Sequence, residues 1–177
     1  MKKLKLDELG RDSVEDFKSK EKLPLVLVLD NIRSALNVGS IFRSSDAFAV
    51  RQIYLCGITA KPPHKEINKT AIGATESVDW VYEPDVLSCI EKLKAAGSHI
   101  VAVEQTDQST VLQDFKVQGK AMIALVLGNE VQGVDSRVLE LADEAIEIPQ
   151  YGTKHSLNVS VCTGVVLWEL TKKLRGL

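Results

Sequence analysis

The 177-residue chain has only three cysteines, Cys56, Cys89 and Cys162, and no CxxC pair. An odd, scattered set excludes a disulfide scaffold, offers no zinc spacing and suits a reducing cytoplasm. No apolar run reaches the roughly 20 residues of a membrane span, so no membrane partner is expected. The longest runs are LPLVLVL, from Leu23, and AMIALVL, from Ala121. The opening stretch, MKKLKLDELG, carries lysines without an apolar h-region, and no secretory signal is expected. An excess of one charge sign is also missing: the formal net charge is -2. That excludes a uniformly basic nucleic-acid binder but leaves room for a local basic face.

Common signatures are missing too. No GxGxxG follows the first apolar run, which removes the ordinary dinucleotide fingerprint, and no GxxxxGK[ST] occurs. HExxH and paired Cys/His spacings are absent, so no metal is expected. The GxSxG elbow of α/β-hydrolases is absent as well. There is no internal repeat and no low-complexity segment.

What remains is one globular domain behind a charged leader. At 45% hydrophobic and 26% charged residues, the composition is that of an ordinary core-forming domain. Residues 1–22 read as a lysine-rich amphipathic extension, with a helix capped at Asp12 or Ser13 that places Val14 and Phe17 on one face. From Leu23 on, strand and helix alternate. Leu23–Asp30 is a strand buried on both faces, followed by a helix from Val38 to Ala49 with Val38, Ile41, Phe42, Ser45 and Phe48 inward and Arg43 off the stripe. Further strands fall at RQIYLCG, ESVDWVY, SHIVAVEQ, AMIALVLG and AIEIP. Helices follow Pro84 and Asp135, and a last helix starts near Ser156. In that last helix Leu157, Val161, Val165 and Trp168 make an apolar stripe, and Ser156, Ser160 and Gly164 make a small-residue seam. The expected fold is α/β, a mostly parallel six-stranded sheet flanked by helices.

In parallel sheets, ligands collect beyond the C-terminal strand ends, and three loops there carry unusual polar residues. DNIRSALNVGSIFR holds Asn37 at a helix start, with Arg33 and Arg43 as planar cationic forks suited to phosphate. LVLGNEVQGVD holds Glu130 between Gly128 and Gly133. IEIPQYGTKHSLNVS places Ser156 and Asn158 at the entry to the last helix. Each has an ordinary explanation as well: a helix cap, a surface arginine, a solvated carboxylate.

Taken together, NxRSxxNVGSIFR, LVLGNEVQGV and IEIPQYGTKHSLNVSVCTGVVLWE resemble the three motifs of the SpoU/TrmH family of RNA 2′-O-ribose methyltransferases, within the SPOUT class. The resemblance covers about Leu23 to Leu174, in the family's order and spacing, and VAVEQT (Val101–Thr106) resembles its pre-motif loop. It implies a C-terminal deep trefoil knot, an exception to the rule that chains do not thread loops. The cofactor site would lie in the knot, about residues 122–177. It implies S-adenosylmethionine as cofactor, carried over by motif position onto Leu127, Gly128, Ile148, Pro149 and Leu157. The catalytic positions carried over are Asn37, Arg43, Glu130, Ser156 and Asn158. The implied partners are structured RNA, tRNA favoured over rRNA, and a second copy of the chain, with the RNA site shared between subunits; no DNA is expected. The competing reading is a non-catalytic RNA-binding or assembly protein of the same fold. No separate RNA-binding domain is expected before Leu23, so the lysine-bearing leader and the KKLR tail (Lys172–Arg175) would extend any RNA grip.

Overall fold

The first strand, β1 (Leu25–Asp30), is buried at every position, because its alternate side chains enter two cores. Leu25, Leu27 and Leu29 pack with Val38, Ile41 and Phe42, and with Val166, Leu167 and Leu170 near the C-terminus. Val26 and Val28 join Val86, Cys89, Ile90 and Val138 on the opposite face. A continuous apolar run is what a central parallel strand requires. This computed structural model describes residues 1–117, 119 and 121–177.

A 3₁₀ turn (Leu6–Leu9) and helix α1 (Val14–Ser19) precede β1. The Ser13 hydroxyl caps α1 by accepting from the Asp16 N–H at 3.1 Å. Phe17 reaches the edge of the first core, so the leader packs on the main domain. After β1 come α2 (Ala35–Ala47), β2 (Gln52–Cys56), α3 (Lys65–Ala71), α4 (Ala74–Ser77) and β3 (Asp79–Glu83). The second half holds α5 (Val86–Ala95), β4 (His99–Val103), β5 (Thr110–Val111), β6 (Ile123–Leu127), α6 (Ser136–Leu141), β7 (Glu144–Glu147) and α7 (Val159–Arg175).

The strands form one sheet in the order β3-β2-β1-β6-β4-β7-β5, and each neighbouring pair is parallel. The sheet therefore has seven strands, not six. The additional one, β5, is a two-residue edge strand whose Val111 pairs with Glu147, too short to carry a period-2 pattern. The chain reverses its direction of winding between β1 and β6, the crevice where open α/β sheets take ligands.

Three further expectations shift. The second helix begins at Ala35, with Ser34 as its cap, so Asn37 sits inside the first turn. Glu76 and Ser77 belong to α4, and β3 starts only at Asp79. The last helix begins at Val159 with Asn158 as its cap, which leaves Ser156 in the preceding loop. Its apolar stripe also faces outward: Val161, Val165 and Trp168 are exposed while Val166, Leu167 and Leu170 are buried. At Gly164, on the small-residue seam, a Cβ would have no neighbour within 4 Å among the described residues.

Candidate active site

Glu130 leaves the C-terminal end of β6 in a tight loop. Gly128 and Gly133 allow the loop to close on itself, and Asn129 and Gly133 exchange two backbone hydrogen bonds of 2.9 Å. A Cβ on Gly128 would collide with the backbone of Gly133 and Val134, so only glycine fits. Asn129 completes the loop: its Oδ1 accepts from the Val131 N–H at 2.9 Å and its Nδ2 donates to the Asn31 carbonyl at 2.7 Å. The loops after β1 and β6 are thereby tied together.

The Glu130 carboxylate then crosses to α2. It accepts from the N–H groups of Arg33 at 2.8 Å and Ser34 at 3.0 Å, and from Asn37 Nδ2 at 3.0 Å. Burial pushes this carboxyl up, but the N–H groups and the Asn37 amide outweigh it and hold it below the usual carboxylate range. Asn37 Oδ1 in turn accepts from Asn158 Nδ2 at 3.2 Å. Asn158 Oδ1 caps α7, accepting from the Ser160 N–H at 2.9 Å and the Ser160 hydroxyl at 2.7 Å. One relay, Glu130–Asn37–Asn158, thus joins three distant segments, with every amide end committed.

Behind the relay lies a cavity of about 530 Å³ at the ends of β4, β6 and β7, in the size range of small-molecule sites. Leu127, Gly128, Ile148 and Leu157 line it, as do Glu130 and Ser156; Pro149 does not. Arg43 stands apart. It faces a second cleft with Arg11, Arg175 and Ile72. Within one chain, then, the structure joins Asn37 and Asn158 to Glu130 and lines the cavity with Glu130 and Ser156, while Arg43 belongs to neither.

Sequence reasoning missed three positions. Asn31 adopts a left-handed φ of 54° and its Oδ1 accepts from the Ile58 N–H at 3.0 Å. The Thr59 hydroxyl accepts from the Ile32 N–H at 3.0 Å and donates to the Leu29 carbonyl at 3.0 Å. Glu104, in the pre-motif loop, accepts from the Val134 N–H at 3.0 Å. An Asn directly after a strand is a left-handed-turn signal; Thr59 and Glu104 carry no local signal.

The fold and the relay define a parallel α/β domain with a ligand cavity beyond the C-terminal ends of β4, β6 and β7. Residues 24–168 match the SpoU rRNA Methylase family, and the chain belongs to it. It is 35% identical to a tRNA (guanosine(18)-2′-O)-methyltransferase of Aquifex aeolicus, over 87% of this chain and 72% of that protein. It is 30% identical to the 23S rRNA (guanosine-2′-O-)-methyltransferase RlmB of Vibrio vulnificus, over 94% of this chain and 66% of that protein. Among solved structures, the TrmH/SpoU tRNA modifying enzyme of A. aeolicus superposes with a TM-score of 0.80 at 29% identity, covering 92% of this chain and 81% of that one. An AdoMet-bound rRNA methyltransferase from Sinorhizobium meliloti gives 0.78 at 26% identity, covering 94% and 62%.

Proposed function

We propose that this chain methylates a ribose 2′-hydroxyl in structured RNA, using S-adenosylmethionine. The carrying observation is the Glu130–Asn37–Asn158 relay, which links all three family motifs beside the cavity. The relatives' named activities, 2′-O-methylation of tRNA and of rRNA, give the reaction class. The tRNA enzyme is the more similar of the two by identity, and tRNA is our favoured substrate class.

The cavity suits the cofactor. Val103, Leu127, Ile146, Ile148 and Leu157 offer apolar walls for an adenine, and the closed Gly128–Val134 loop brings backbone near it. The cofactor carries no pyrophosphate, consistent with a site that lacks a glycine-rich phosphate cradle. When bound, it supplies an electrophilic methyl group. Leu127, Gly128, Ile148 and Leu157 are assigned to holding it, with Pro149 fixing the loop after β7.

The chain's own residues position the ribose. Glu130 holds the Arg33–Ser34 turn at the start of α2, and Asn37 carries that order to Asn158 and α7. Ser156, exposed on the rim, is assigned to contacting the substrate. Much of the rate would come from such positioning. A guanidinium is a poor general base. We therefore assign Arg43 to clamping the neighbouring phosphate and stabilising charge on the 2′-oxygen.

Arg43 lies outside this chain's cavity, and a homodimer with a shared RNA site would bring it into use. We propose that the homodimer packs through the exposed Leu157, Val161, Val165 and Trp168 face, with the C-terminal residues from about 122 tied in a trefoil knot. Residues 1–22 form an extension of the methyltransferase domain at 23–177. Arg11 and Arg175, which share the cleft with Arg43, extend the RNA grip. No helix among the described residues is long and apolar enough to cross a membrane, and with its free thiols we place the protein in the cytoplasm.

The test is transfer of labelled methyl from S-adenosylmethionine to bulk tRNA and rRNA, followed by digestion to locate 2′-O-methylated nucleotides. RNA binding without transfer would favour the non-catalytic assembly reading instead.

A further inference from the structure

The ionisable carboxylates lining the cavity are Glu104, Glu130 and Glu147; neither a lysine nor an arginine lines it among the described residues, and His155 adds an imidazole at its wall. Glu130 is committed to the α2 turn. Glu104 is held differently. One of its oxygens accepts from the Gln105 N–H at 2.8 Å and the other from the Val134 N–H at 3.0 Å. The carboxylate is thereby fixed on the cavity wall instead of swinging into solvent. Gly133, with φ 72°, makes the approach possible, because a Cβ there would collide with the Glu104 carboxylate. Glu147 ends β7 on the same cavity. The other lining side chains are mostly apolar or amide, so the field of these carboxylates is screened less than on an open surface.

Resting on the cofactor assignment above, we propose that Glu104, supported by Glu147, makes this cavity select by charge. It favours the cationic sulfonium cofactor over the neutral thioether product. S-adenosylmethionine carries a sulfonium, an ammonium and a carboxylate, one net positive charge. Transfer breaks the sulfur–methyl bond and forms an oxygen–methyl bond. The bonding pair stays on sulfur, the ribose 2′-hydroxyl proton passes to solvent water, and the adenosyl product is neutral overall. The two ligands otherwise differ by a single methyl group. A site with these carboxylates and no lysine or arginine among the described residues therefore loses attraction for its ligand once the methyl has moved, which promotes exchange of product for fresh cofactor.

The experiment is calorimetric titration of the full chain with three ligands. They are S-adenosylmethionine, S-adenosylhomocysteine and sinefungin, in which a protonated amine replaces the sulfonium centre. Expected is tighter binding of the two cationic ligands, with Glu104→Gln lowering their preference over the thioether by roughly five- to tenfold. Affinity for the thioether should stay nearly unchanged. Glu147→Gln should shift the preference in the same direction, and among the described residues its side chain makes no hydrogen bond whose loss could mimic the effect. Raised salt should narrow the wild-type preference. If Glu104→Gln weakens all three ligands equally, Glu104 merely holds the Val134 loop and charge selection is overturned. An unchanged preference in both variants overturns it too. Failure of all three ligands to bind the wild-type chain would instead sink the cofactor assignment itself.

Discussion

The carboxylate of Glu130 and the amide of Asn37 are 93 positions apart in the chain and 3.0 Å apart in the fold. Glu130 also accepts two backbone N–H groups, and all three donors face it at once. In Glu130→Gln, half of the new amide would present N–H to donors. The expected cost is about 1 kcal/mol of stability, given the solvent exposure of the side chain. The loss of methyl transfer should be larger, because α2 and α7 lose their common register. Thermal melting beside single-turnover methylation tests this; transfer at the wild-type rate would remove Glu130 from the site.

The same carboxylate gives a pH dependence. Its folded pKa lies below the usual value, so its contribution to stability is complete above the unfolded pKa of about 4.3 and is lost as pH falls through the lower folded pKa. The stability gap between wild type and Glu130→Gln should therefore be constant near neutrality and shrink below about pH 4. Urea unfolding at several pH values measures it. A gap that grew on acidification would contradict the assigned shift.

Gly128→Ala should abolish cofactor binding and lower stability together. The added methyl would meet the backbone of Gly133 and Val134, which cannot yield as a flexible side chain can. Overpacking of this kind costs about 1–3 kcal/mol. Calorimetry with S-adenosylmethionine and a melting curve report the two losses; normal affinity would show that the loop tolerates opening.

The last helix shows what could and could not be read from residue order. Its apolar periodicity was legible, as was the boundary logic of α6, whose Asp135 cap accepts from the Arg137 N–H at 2.9 Å. Periodicity reports that a face is apolar, not what covers it, and the stripe at Val161, Val165 and Trp168 proved to be the outward one. Ser156 and Asn158 are both good caps by residue type, and only the hydrogen bonds of Asn158 choose between them. The central strands were legible because burial on both faces leaves an uninterrupted apolar run, whereas β5 has two residues and no pattern to read. Membership of Asn37, Glu130 and Asn158 in one site came from motif resemblance. Their contacts span 93 and 121 positions, and no local rule supplies those.

That outward face yields a test of assembly. Val161 and Trp168 are 55% and 54% exposed, while Val166 is 0% exposed. Val161→Glu should give a folded monomer if a second copy covers this face, and Trp168→Glu should do the same at some further cost in stability, since the Trp168 ring meets Phe48 at the edge of the core, 6.2 Å between centroids. Val166→Glu should unfold the chain by burying a charge. Sedimentation equilibrium with melting curves separates the cases. A wild-type monomer of 19.4 kDa at micromolar concentration would defeat the homodimer proposal.

Arg43 is the sharpest test of catalysis. It lies on the exposed side of α2, in the cleft with Arg11 and Arg175, away from the cavity lined by Gly128 and Leu157. Arg43→Ala should therefore leave both the fold and cofactor affinity intact while removing most methyl transfer. Loss of a preorganised donor at developing charge costs about 3–4 kcal/mol, or two to three decades in turnover. Arg43→Lys should rescue poorly, since a point charge does not reproduce the planar fork that grips a phosphate. Single-turnover methylation of a responsive RNA, run beside a cofactor titration, distinguishes the outcomes. Turnover at the wild-type rate would make Arg43 a surface residue. Early melting with lost cofactor binding would make it structural, and the charge-stabilising role would pass to the Ser156–Asn158 loop.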